Sequence, residues 1–163
     1  LRLMKALTIE IINQTEFHHC PTEDQFNMWL DAALKLKVVS EQVHQSSRDT
    51  ITCVIVNTSD MIDLNAEFRN KAKTTNVLSF PDEPHPGELP TSWGDIVFCY
   101  QTIQNEAKDS KINFLDHFAH LTIHGFLHLL GYDHQNDKEA DEMESLEILA
   151  LQELQINNPY KNN

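Results

Sequence analysis

Apolar and polar residues alternate through LTIEIIN (7–13), and its β-branched content makes this stretch the first strand. In PTEDQF, Thr22 followed three residues later by Gln25 is a capping-box helix start. The helix it opens carries Phe26, Trp29, Leu30, Ala33 and Leu34 on one face. HQSSRD reads as loop, and TITCVIVN (50–57) as a second strand apolar enough to be central. Thr58 or Ser59 then caps a short helix through Phe68, and NVLSFP (76–81) is a third strand stopped by Pro81. The proline-rich DEPHPGELPTS is an exposed loop before a fourth strand, GDIVFCY (94–100).

From about residue 101 the period becomes helical. A central helix over Phe114–Leu130 is apolar almost all round, which marks a buried helix, and Gly131 suits the position that ends it. A last helix over 137–154 sets Met143, Leu146, Ile148, Leu149 and Leu154 against an acidic face, and the tail NNPYKNN is expected to fray. The order β-α-β-α-β-β-α-α-α predicts an α+β fold. Its single mixed four-stranded sheet is packed with helices, the histidine-bearing helix central.

Length and composition fit one soluble globular domain spanning 1–163, with 40% hydrophobic and 23% charged residues. Leu1–Leu3 precede Met4 and read as an upstream extension or a remnant. No window approaches the roughly 18 consecutive apolar residues of a membrane span, and the N-terminus lacks a signal-peptide cleavage region. Cys20, Cys53 and Cys99 are odd in number and lack metal-site spacing. Cys53 and Cys99 lie in apolar runs as free buried thiols, and a reducing, cytoplasmic setting follows as the default. The net charge of −13 argues against a nucleic-acid binder only if the charge is evenly spread. It is segregated. Asp137 to Glu153 form an acidic run, read as a solvated helix face, whereas RNKAK (69–73) holds Arg69, Lys71 and Lys73 without an acid.

The chemistry concentrates in HGFLHLLGYDH (124–134). His124 and His128, four apart, project from one helix face, and a chain reversed at Gly131 brings His134 back over it. Three neutral imidazoles with no fourth cysteine or histidine nearby are the pattern of an open, catalytic zinc site. One divalent metal per chain, zinc, is the expected cofactor. His117 and His120 continue the stripe and suit support or substrate contact, while His18, His19, His44 and His85 receive no role. The spacing resembles that of the metzincin proteases, including their glycine at Gly131. Gly125, however, stands where those enzymes carry the glutamate base. Peptide hydrolysis is therefore disfavoured, and a glycine beside the metal is expected to leave room for a large substrate.

HLTIHGFLHLLGYDH (120–134), with LNAEFRNKAKTTNVLSFP (64–81) and GDIVFC (94–99), resembles the YbeY-like family of bacterial endoribonucleases. The resemblance implies metal ligation by His124, His128 and His134, with Arg69 and His124 as catalytic residues. It implies cleavage of single-stranded RNA in ribosomal RNA maturation, notably at the small-subunit 3′ end, and in ribosome quality control. Partners are then ribosomal RNA and the small ribosomal subunit or its assembly factors, with no DNA and no membrane. Arg69, Lys71 and Lys73 become the substrate-binding residues. Asn76 stands where the family commonly carries aspartate and is given no role. Two other classes fit the residues alone: a metal-dependent hydrolase of a small or peptide substrate, and a non-catalytic ribosome-assembly factor stabilised by its metal.

Overall fold

The alternating N-terminal pattern forms β1 (Thr8–Asn13), which pairs in parallel with β2 (Thr50–Val56). The computed structural model describes residues 6–161, so the reading of Leu1–Leu3 lies outside the described residues. The edge strand β3 (Val77–Pro81) runs antiparallel to β4 (Ser92–Cys99), which is itself parallel to β2. The order β1-β2-β4-β3 is the mixed four-stranded sheet expected from the pattern.

Among the described residues six helices accompany it: α1 (Glu23–Leu34), α2 (Lys37–His44), α3 (Thr58–Arg69), α4 (Tyr100–Ser110), α5 (Phe114–Leu129) and α6 (Asp137–Glu153). The capping box at α1 forms as read: Thr22 Oγ1 accepts from the Gln25 amide at 3.2 Å, and Gln25 Oε1 accepts from the Thr22 amide at 2.8 Å. Helix α2 is not among the predicted elements. Its valines are stiff, weak helix formers, and its N-cap Leu36 offers no side-chain acceptor. Burial of Val39 and Val43, four apart, supplies what local propensity does not. Helix α3 runs one residue further than predicted, so Arg69 is its last residue and Asn70 closes it at φ 56°.

The main core lies on one face of the sheet. There Phe26 and Trp29 of α1 meet Phe118 of α5 and Phe98 of β4, with ring centroids 4.7–6.1 Å apart. Met61 of α3 joins Val56, Leu78, Val97 and Cys99 in a second, smaller cluster. Cys53 and Cys99 are buried free thiols as expected, and burial with the nearby Asp95 charge pushes Cys53 up to about 12. No helix among the described residues is long and apolar enough to cross a membrane.

Helix α5 reaches the sheet through Gly125, and here the structure corrects the sequence reading. The glycine faces β4 and β3 rather than leaving space for a substrate. A Cβ at this position would sit 2.7 Å from Ile96 Cγ2 and 3.2 Å from Ser79 Oγ. Ser79 Oγ also donates to the Gly125 carbonyl at 2.9 Å, tying α5 to the edge strand. Gly125→Ala sets two effects against each other. Helix propensity favours alanine by about 0.8–1.0 kcal/mol, whereas overpacking a filled core costs about 1–3 kcal/mol. Ile96 is wholly buried and cannot swing away, so overpacking should win. Chemical denaturation should show the variant less stable than the parent; equal or greater stability would refute the close packing.

Candidate metal centre and cleft

The helical pair behaves as its spacing requires. His124 and His128 lie one turn apart on α5 with their Nε2 atoms 3.2 Å from each other. Just beyond, the helix ends in a Schellman turn: the Gly131 amide donates to the His128 carbonyl and the Tyr132 amide to the Leu127 carbonyl, each at 3.0 Å. Gly131 sits at φ 103°, as expected of the residue that reverses the chain. His134 thereby returns to the pair, its ring centroid 5.6 Å from that of His124 and 5.0 Å from that of His128. One nitrogen from each of the three rings lies within 4.8 Å of the others. Metal–nitrogen bonds of ~2.0–2.1 Å in tetrahedral array place ligand nitrogens roughly 3.3–3.4 Å apart. The α5 pair already matches that spacing, and the more exposed His134 needs only a small approach. The donor set fits a divalent cation.

Nothing within 4 Å obstructs a side chain at Gly131, so its backbone conformation alone demands glycine. Gly131→Val should cost about 1–3 kcal/mol in strain or else shift the turn, and in either case lower metal occupancy without touching an imidazole. Metal binding as tight as in the parent would show that the turn does not place His134.

Burial, with the neighbouring His124 and His134, pushes His128 down to about 4, so this ring is neutral at ordinary pH and one of its nitrogens offers a lone pair without first losing a charge. His124 Nδ1 lies 2.5 Å from Glu147 Oε1, a carboxylate with no exposed surface. Burial raises the Glu147 carboxyl, but hydrogen bonds from His120 and His124 and the charge of both rings outweigh it and hold it down to about 2. Its stabilisation is therefore present above the ordinary carboxylate range and lost as pH falls through about 2.

Glu147 corrects the reading of the acidic run as a solvated face. Met143, Glu147, Ala150 and Leu151 form the buried stripe of α6, whereas Leu149, expected inside, is 48% exposed. Glu147 lies four residues after Met143, three before Ala150 and four before Leu151, a spacing visible in the sequence that the acidic neighbours masked. The tail also differs from expectation. Instead of fraying, its described part, through Lys161, brings the Tyr160 hydroxyl 2.5 Å from Glu147 Oε2 and 3.2 Å from His120 Nε2; Asn162 and Asn163 lie outside the described residues. Of the two extra histidines, His120 joins this group, while His117 lies 3.0 Å from Glu106 Oε1.

Arg69, Lys71 and Lys73 line one cleft of about 1030 Å³ together with His124, His128 and His134. The Arg69 guanidinium lies 5.9 Å over the Phe80 ring, and its Nη2 donates to the Ser79 carbonyl at 3.3 Å. The basic turn is stapled by Asn65, a buried residue that sequence reasoning passed over. Its Nδ2 donates to the Lys73 carbonyl at 2.8 Å, and its own carbonyl accepts from the Lys71 amide at 3.2 Å. Asn76 donates to Glu106 at 3.0 Å on the same cleft wall.

The sequence pattern of the family described as Endoribonuclease YbeY matches residues 10–155. The chain belongs to the YbeY family. A Coxiella burnetii relative named Endoribonuclease YbeY is 38% identical over 155 residues, covering 95% of this chain and 99% of its own. A Colwellia psychrerythraea protein of the same name is 44% identical over 140 residues, covering 86% of this chain and 88% of its own. A Thermotoga maritima protein solved in solution superposes with a TM-score of 0.56 at 19% identity, covering 95% of this chain and all of its own, a likeness of fold. The three-histidine group and the α+β architecture are those expected of a YbeY member from the sequence.

Proposed function

We propose that this chain is a zinc-dependent endoribonuclease that cleaves single-stranded RNA in ribosomal RNA maturation, at the small-subunit 3′ end, and in ribosome quality control. The observation that carries the reading is the shared cleft: three converging imidazoles and the Arg69–Lys73 basic turn line the same cavity. The YbeY relatives, by their names endoribonucleases, support it. His124, His128 and His134 would hold one zinc ion, which when bound supplies Lewis acidity and a water of pKa lowered toward ~7. Arg69 grips the scissile phosphate bidentately and stabilises the charge that builds on its oxygens. Lys71 and Lys73 hold flanking phosphates.

Three cations are few for a chain of net charge −13. Intrinsic RNA affinity is then weak with a shallow salt dependence, and the small ribosomal subunit or an assembly factor supplies positioning in the cytoplasm. Peptide hydrolysis fits less well. A glutamate at position 125 would be driven into Ile96 rather than toward the histidines, so no protease base can stand there. Cleavage of a single-stranded RNA and of casein, each with and without chelator, tests the reading. RNA cleavage lost on chelation with casein untouched is expected. Chelator-sensitive casein hydrolysis would overturn it in favour of a protease, and a folded, metal-bound chain inert on RNA would favour an assembly factor.

A further inference from the structure

Glu147 and Tyr160 are not among the residues that line the cleft, yet they make close polar contacts behind the histidines. We propose that they are positioning residues for the metal: Glu147 fixes the tautomer and ring plane of His124, and Tyr160 fixes Glu147, so the C-terminal segment strengthens cation binding. The proposal rests on reading the three histidines as the metal site.

A carboxylate without exposed surface is costly to bury unless its oxygens are occupied. Here both are. Oε1 faces His124 Nδ1 at 2.5 Å and His120 Nε2 at 3.5 Å, and Oε2 accepts from the Tyr160 hydroxyl at 2.5 Å. A carboxylate can only accept, so it selects the His124 tautomer protonated at Nδ1. The lone pair is then left on Nε2, the atom 3.2 Å from His128 Nε2. A carboxylate behind a ligand imidazole also raises its basicity and with it the affinity for a cation.

Tyr160 reaches this point because α6 ends in a second reversal. Gln155 adopts φ 60°, its amide donating to the Gln152 carbonyl at 3.0 Å and the Ile156 amide to the Leu151 carbonyl at 2.9 Å. Asn158 Oδ1 then accepts from the Tyr160 amide at 2.8 Å. The Tyr160 ring stands perpendicular to His120 with centroids 5.5 Å apart, and remains 37% exposed. Its hydroxyl is the end that is tied down, to Glu147 and His120. A tail held only by apolar packing would not need that arrangement.

The test uses the full chain and zinc, with affinity read by competition against a chromophoric chelator, for the parent and for His134→Ala, Glu147→Gln and Tyr160→Phe. Histidine tautomers are read by nitrogen-15 NMR in the zinc-free chain. Glu147→Gln should weaken zinc binding about 10- to 100-fold. In the same variant the His124 ring should lose its single Nδ1-protonated tautomer, because an amide can donate as well as accept. Tyr160→Phe, which keeps the ring, should weaken binding less and in the same direction. Parent affinity and parent tautomer in both variants, with His134→Ala losing zinc, would overturn the inference and leave the three-histidine reading standing, even if both variants melt at a lower temperature. No zinc on the parent, or parent affinity in His134→Ala, would overturn that reading and the inference with it. Should Glu147→Gln not fold, Tyr160→Phe decides by the same two readouts.

Discussion

Arg69→Ala should lower RNA cleavage by about 10²-fold or more while one metal ion per chain stays bound, the loss expected when a single preorganised charge-stabilising group is removed. The guanidinium lies outside the three-histidine group, and no ring of that group is among its hydrogen-bond partners. It is exposed, so its removal should change stability by no more than about 0.5 kcal/mol. Activity and metal content are thereby separated. Lys71→Ala and Lys73→Ala offer the internal comparison: both should weaken RNA binding and flatten its salt dependence, with a smaller effect on the cleavage step. Initial rates on a single-stranded RNA, with elemental analysis of the same preparations, check the set. Cleavage by Arg69→Ala at the parent rate would remove this residue from the mechanism.

His128→Ala should take metal content from one ion per chain to near none. His128 is half-buried between the other two rings' charges, and its neutral state at ordinary pH makes it a ready donor. Losing it leaves His124 and the exposed His134, too few for an open three-coordinate site. A second readout follows from linkage, since an ion bound only to the folded chain stabilises it by RT ln(1 + [L]/Kd), roughly 2.7 kcal/mol at a hundredfold excess over Kd. Chelation should therefore lower the melting temperature of the parent and leave that of His128→Ala unchanged. Full metal occupancy in the variant would move the site elsewhere.

Local features of the chain were legible and contacts between distant segments were not. The helical pair His124–His128 and the Gly131 reversal lie within eleven residues, where helical period and glycine stereochemistry decide the geometry unaided. The sheet was legible for the same reason, from period-two runs punctuated by proline and polar loops. Gly125 was misread because its meaning depends on Ile96 of β4, with all of α4 between them in sequence, and nothing local to α5 records that contact. Glu147 was hidden by company: six acidic neighbours made a charged face the obvious reading, although its spacing from Met143 and Leu151 placed it inside. Helix α2 lacked a side-chain cap and carries three valines, so its pattern was weak and the burial of Val39 and Val43 settles it.

Strand β3 has one unpaired side, and that side borders the cleft. An exposed row of main-chain donors and acceptors is a template on which another chain can add a strand. Here the row is short, it ends at Pro81, which lacks an amide donor, and the Ser79 carbonyl is already taken by Arg69. The guanidinium that lines the cleft thus also occupies an acceptor on the open edge that an added strand would use. Removing it frees an acceptor on the open strand, so Arg69→Ala should show more self-association at high concentration than Lys71→Ala or Lys73→Ala. The side chain proposed to grip phosphate would then also keep the cleft from being closed by a neighbouring molecule.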